Sequence, residues 1–267
     1  MKSLITIIKE HINNFYLISR LSLYEVKTTN NNNYLGMLWE IINPGIQIFI
    51  YWFVFGYVLE RGDVEGVSYF PWMVAGYVLW FFVQPSIIKG SKSIYTRINM
   101  VSKMSFPMSV IPTYIIVSNL YTHLLLLTII GVILQFLGYG ISWYYLQIPY
   151  FIIATFILLV SITLITSTLT TIVRDFQMII QSIMRMLLYM TPILWSSGHL
   201  SSKLQLIMNL NPFNYLVQGY RTAFLGQGWY LIEHWESTIY FWVLVFIFLL
   251  IGSSLHLRFR KHFIDFI

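Results

Sequence analysis

Few residues of this 267-residue chain have the type and spacing that chemistry needs. Six histidines, His11, His123, His199, His234, His256 and His262, are scattered without the close pairing of a metal site. Neither GxSxG nor HExxH occurs, so an enzyme would need an unfamiliar site. The "GSKS" at Gly90–Ser93 lacks the upstream glycine and the Gly-Lys pair of a phosphate-binding loop, so the chain by itself cannot hydrolyse a nucleotide. Cysteine is absent, which removes disulfides and thiolate metal sites. No catalytic residue, no metal ligand and no cofactor bound by this chain is assigned.

The remaining polar residues stand in an oily chain. Hydrophobic residues make up 57% and charged residues 10%, against roughly 25% charged in soluble domains, so lipid is the main solvent. The apolar segments hold no Asp or Glu except Glu40 at the edge of the first. Ion-coupled carriers usually need a carboxylate or an equivalent relay there. Arg185 is the strong charge within a segment; it faces a bundle interior or watery path, or snorkels to the interface. His123 also falls inside a segment, with a functional role and a helix–helix hydrogen bond both open. Arg174 and Asp175, at a tight turn, suggest a cytoplasmic-end ion pair. The stretch "NPFNYLVQGYR" (Asn211–Arg221) is polar and broken yet flanked by apolar sequence. Such a segment is tolerated at membrane depth when protein buries it or when it lines a cavity. Leu204 to Leu225 therefore reads as short re-entrant or interfacial helices broken at Asn211–Pro212, in preference to a surface loop.

Helices must hold these residues. A crossing needs about 20 apolar residues, and six segments qualify, near 41–59, 69–88, 109–137, 149–173, 176–196 and 237–257. The third is long enough to tilt, and Pro112 near its start suggests a kink. The fifth is the weakest, interrupted by Gln177, Gln181, Ser182, Arg185 and Pro192. Upstream, Glu10 to Lys27 places Ile12, Phe15, Tyr16, Leu23 and Val26 at roughly helical spacing, as in an amphipathic helix on a membrane surface. The fold class expected is all-α: six transmembrane helices, an N-terminal interface helix, and re-entrant gate helices between spans five and six. The whole chain, 1–267, reads as one transmembrane domain, with interface helix and linker at 1–40, the bundle at 41–257 and a tail at 258–267.

Lysine and arginine set the orientation. Of sixteen, only Arg61, Lys203 and Arg221 fall on the side opposite the N-terminus, so a multi-pass protein of the cell membrane with both termini cytoplasmic is expected. The same bias accounts for most of the net charge of +6, and no nucleic-acid partner is inferred. The basic loop "KGSKSIYTRINMVSKMSFP" (Lys89–Pro107) suits a short amphipathic helix that rests on membrane lipid or docks into a partner protein.

Three ordered stretches carry a resemblance over almost the full length: "NYLGMLWEIINPGIQ" (Asn33–Gln47), "IVRDFQMIIQSIMRMLLYMTPILW" (Ile172–Trp195) and "LNPFNYLVQGYRTAFLG" (Leu210–Gly226). In these the chain resembles the permease subunit of an ABC exporter of cell-surface polysaccharide. Within that family it is most similar to the teichoic acid translocation permeases, with O-antigen and capsule permeases sharing the motifs. The resemblance implies a homodimer above two separate nucleotide-binding ATPase subunits, which would hold the ATP and Mg and drive export of a lipid-linked polymer for cell-wall biogenesis. It makes Lys92, Ile94, Tyr95, Arg97 and Ile98 the coupling helix, and Asn211, Pro212, Tyr215 and Arg221 the outer gate. For a glycan that slides on aromatic faces, the candidate path is Tyr51, Trp52, Phe55, Trp72, Tyr77 and Trp80, with Arg185 beside it. Arg221 meets polymer phosphates or pairs with Glu233 or Glu236. The rivals are export of another polysaccharide, and a membrane enzyme or channel without an ATPase.

Overall fold

In hydrocarbon a backbone must satisfy its own hydrogen bonds, and this sequence does so with helices. The computed structural model describes residues 1–29, 33–101 and 107–263, leaving aside the side chains of residues 98–101 and of His199. The helices are α1 (Lys2–Asn13), α2 (Phe15–Thr29), α3 (Trp39–Tyr51), α4 (Tyr69–Ser91), α5 (Ser93–Val101) and α6 (Val110–Phe136). They continue with α7 (Ile148–Ile172), α8 (Phe176–Met190), α9 (Ser202–Asn209), α10 (Pro212–Leu225), α11 (Tyr230–Glu233) and α12 (Trp235–Phe259). Among the described residues there is no strand, only an isolated bridge between Val64 and Val67.

Among the described residues, five helical stretches are long and apolar enough to cross a membrane: Gly36–Val58, Tyr69–Ser91, Val110–Phe136, Trp143–Ile172 and Trp235–His262. The first adds a π-helical turn, Trp52–Val58, to the end of α3. The fifth expected segment is shorter than its sequence suggested. α8 has 15 residues, a length of about 22 Å, because Thr191 precedes Pro192 and takes the extended conformation that a following proline favours. Pro112 does not kink α6. It occupies the first turn, where its missing N–H is no loss. The N-terminal helix is two helices that meet at Asn14, whose amide side chain and backbone both donate to the Glu10 carbonyl.

α4 is the core of the bundle. It is apolar on all sides, and 78% of its most apolar stretch is buried, against α6, α7, α8 and α10. Along the first span, by contrast, Pro44 is the only buried residue among those described. At the basic end α2 lies on α6 and α1 on α12. Glu10 joins these parts: it accepts from Arg260 at 2.6 Å and from the Ser109 hydroxyl. His11 donates from Nδ1 to the Ile7 carbonyl at 2.8 Å, which leaves Nε2 to accept from Thr113 at 2.7 Å.

Candidate functional site

At the end opposite the basic one, the break after α8 frees carbonyls that no helix satisfies, and Arg221 collects them. Its Nη2 donates to Pro192 O and Ile193 O, both at 3.2 Å, and its Nε to Trp72 O at 3.1 Å. Nη1 donates to Gln218 on its own helix at 3.0 Å, and the guanidinium stands 3.6 Å from the Trp72 ring centre. The next carbonyl, Leu194 O, accepts from Tyr69 at 2.9 Å and Arg61 at 2.7 Å. Asn211 caps α10 by accepting from the Phe213 N–H, and its amide donates to Thr191 at 2.8 Å. Pro212 is the first residue of that helix, where its fixed φ suits a helix start. Tyr215 shares its hydroxyl with Thr238 and Tyr150.

Arg221 is 1% exposed. Arg221 pairs with neither Glu233 nor Glu236 among the described residues: Glu233 accepts from the Trp229 N–H, and Arg221 reaches main-chain carbonyls. Two glycines, which the sequence reading passed over, let α10 come this close. A Cβ on Gly76 would stand 2.7 Å from Arg221 Nη2, and one on Gly219 would stand 2.2 Å from the Phe151 ring. Small residues inside otherwise bulky apolar helices were the available signal.

The expected aromatic path divides. Trp72, Tyr77 and Trp80 belong to α4 and are buried, so they pack the core and offer no surface. Tyr77 donates to Gln47 at 3.1 Å and Trp80 to Gln84 at 3.1 Å. Tyr51, Trp52 and Phe55 are half-buried on the first span. Its exposed face is a row of Phe49, Phe53 and Tyr57, stacked with ring centres 6.2 and 5.7 Å apart. Tyr51, on the opposite side of that helix from the row, meets Tyr189 of α8, whose Arg185 is exposed and bonded to Ser182 at 3.2 Å. A cavity of about 340 Å³ between α3, α4 and α6 is lined by Gln47, Gln84, Phe81 and Lys89 among others.

Three further expectations change. Arg174 and Asp175 form no ion pair among the described residues. Both are exposed, and consecutive side chains at a helix start point apart. Ile94 is fully buried against Ile18, Val110, Ile111 and Phe263, so it anchors α5 to the bundle and presents nothing to a partner. Arg97 is held by Glu25 at 2.6 Å, while Lys92 and Tyr95 are half-buried. The Ile98 side chain and Lys103 lie outside the described residues. His123 hydrogen-bonds Tyr220 at 3.0 Å and stacks on Phe82, a helix–helix contact.

This build defines a polytopic helical membrane protein with a pair of short helices, α9 and α10, clamped at one end. The chain belongs to the ABC-2 type transporter family, whose profile matches residues 16–225. It is 26% identical over 257 residues, 94% of the chain, to an O-antigen export system permease protein RfbA of Klebsiella pneumoniae, covering 95% of that protein. A second Klebsiella pneumoniae protein of that name is 27% identical over 92% of the chain and 95% of its own length. The Myxococcus xanthus protein of the same name is 26% identical over 78% of the chain and 80% of its own length.

Proposed function

We propose that this chain is the membrane subunit of an ATP-driven exporter of lipid-linked polysaccharide, working as a homodimer above two ATPase subunits. The observation that carries the reading is the near full-length similarity to O-antigen export permeases. It favours an O-antigen-type glycan over the teichoic acid that the motifs first suggested. The first span fits a second copy: it is apolar, and its exposed face carries a row of stacked aromatic rings. Two such faces would enclose a path where sugar rings meet aromatic faces. In this reading the termini and α5 face the cytoplasm, α5 passes ATPase movement to α2 and α6, and the clamped α8–α10 break is the outer gate. The reading assigns one domain to the whole chain.

The test is to delete the gene in its native host and analyse the lipid-linked polymer that accumulates inside the cell. Accumulated O-antigen-type glycan, with loss of surface polymer, supports the proposal. A polyol-phosphate polymer returns the cargo to teichoic acid, and no accumulated polymer overturns the exporter reading. Stoichiometric copurification of an ATPase checks the partner.

A further inference from the structure

A cavity of about 550 Å³ opens between α2 and the α4–α5 junction, lined by Glu25, Thr29, Lys89, Lys92, Thr96 and Arg97. Three cations share it with one carboxylate, and that carboxylate is engaged. Glu25 accepts from Arg97 at 2.6 Å, and the Arg97 guanidinium also lies 5.6 Å from the Tyr114 ring centre. Neither lysine forms an ion pair among the described residues, although Lys89 shares the neighbouring cavity with the Glu40 carboxylate. Lys89 makes one long bond, 3.4 Å, to the Asn119 amide oxygen, and the Lys92 ammonium has no partner among the described residues.

The carbonyl end of α4 explains why lysines stand there, since cations are favoured at a helix C-terminus. It does not explain why two of them, three residues apart, share one concavity, where like charges repel. An anion between them would relieve that repulsion. The walls say which kind. α2 supplies Glu25 and Thr29 to the cavity and carries Leu23 and Tyr24 exposed beside them. The first span opens with exposed Leu35, Met37 and Leu38. Apolar side chains exposed around a basic mouth place that mouth at the head-group level of a bilayer.

We propose that this cavity binds the phosphate of an anionic membrane lipid, with Lys89 and Lys92 as its ligands and Arg97 as a further donor held in check by Glu25. The proposal rests on the membrane assignment alone and is independent of the cargo. Lys89 also lines the neighbouring cavity between α3, α4 and α6, so a bound lipid would stand at the mouth of that space.

The experiment uses the full chain in phosphatidylcholine nanodiscs containing a minority of phosphatidylglycerol, with native mass spectrometry counting the phosphatidylglycerol retained. Lys89→Gln with Lys92→Gln should weaken retention on the order of tenfold or more. Lys203→Gln, at the opposite end, should change nothing, and arginine at both lysine positions should restore binding. Glu25→Gln should tighten it by freeing Arg97. Wild-type retention in a folded double-glutamine variant overturns the proposal. If that variant fails to fold, Glu25→Gln decides, and unchanged or weaker binding overturns it. Complete displacement by millimolar inorganic phosphate would make this a soluble-anion site and overturn the lipid assignment. No polymer or ATPase enters the assay, so its failure leaves the cargo reading standing.

Discussion

Arg221 donates to three main-chain carbonyls and a glutamine while its face rests on Trp72. Removing it strands buried acceptors at roughly 1–3 kcal/mol each where no water replaces the donor. Arg221→Ala should therefore cost about 3 kcal/mol, read as a lowered thermal midpoint in detergent. Arg221→Lys should recover less than half, because one ammonium cannot copy a planar fork. A variant with an unchanged midpoint that fails only in polymer export would show instead that the side chain meets cargo. The sequence left this residue between phosphate and glutamate because its actual acceptors are backbone atoms freed by Pro192, which have no side-chain signature. Gly219→Ala should cost about 1–3 kcal/mol by overpacking, since its new Cβ would fall on the Phe151 ring. Phe151→Leu should recover part of the loss in the double variant.

The elements were more legible than the contacts. Long apolar runs with lysine, arginine and glycine at their ends placed α4, α6, α7 and α12 within a few residues, because hydrocarbon leaves the backbone no other choice. α8 was misjudged at its far end, since apolar Ile193, Leu194 and Trp195 read on as helix while Pro192 had ended it. α5 was expected to face outward, and a nine-residue amphipathic helix does not say which face is covered. Ile94→Asp should therefore unseat α5 by burying an unpaired charge, lowering the midpoint by several degrees. If it left the midpoint intact and released only a partner subunit, Ile94 would be a docking residue. α1 carries a pH dependence. Desolvation lowers the pKa of His11 against the opposing pull of the Ile7 carbonyl and Glu10. A depressed histidine pKa means that docking favours the neutral ring, so this contribution is full above the unfolded value of 6.5 and falls as pH drops through the folded value. Amides of residues 2–13 should lose exchange protection at pH 5 relative to pH 7.5, once intrinsic rates are corrected. His11→Asn should remove the difference.

At the scale of the whole molecule, the absence of cysteine makes the orientation directly testable. Ser201→Cys should react with a membrane-impermeant maleimide in intact cells, and Ser3→Cys only after the membrane is opened. The reverse pattern would invert the assignment. Phe53→Cys should form an intermolecular disulfide if the exposed row of the first span meets a second copy, and its failure under oxidant would leave that row to lipid. The broken C-terminal end of α8 also has a consequence for biosynthesis. When the ribosome has made Pro192 to Leu194, Arg61 and Tyr69 already exist, but Arg221 and Asn211 do not. A helix of about 22 Å that carries an arginine must then be retained by its packing on α4 and α7, with its carbonyl end incomplete until α10 arrives. Nascent chains arrested at Leu210 should leave residues 191–196 open to protease, and chains extended through Gly226 should close them. The seam that Arg221 closes would then become native only after α8 is in place, with α11 and the last crossing helix, α12, still to be made.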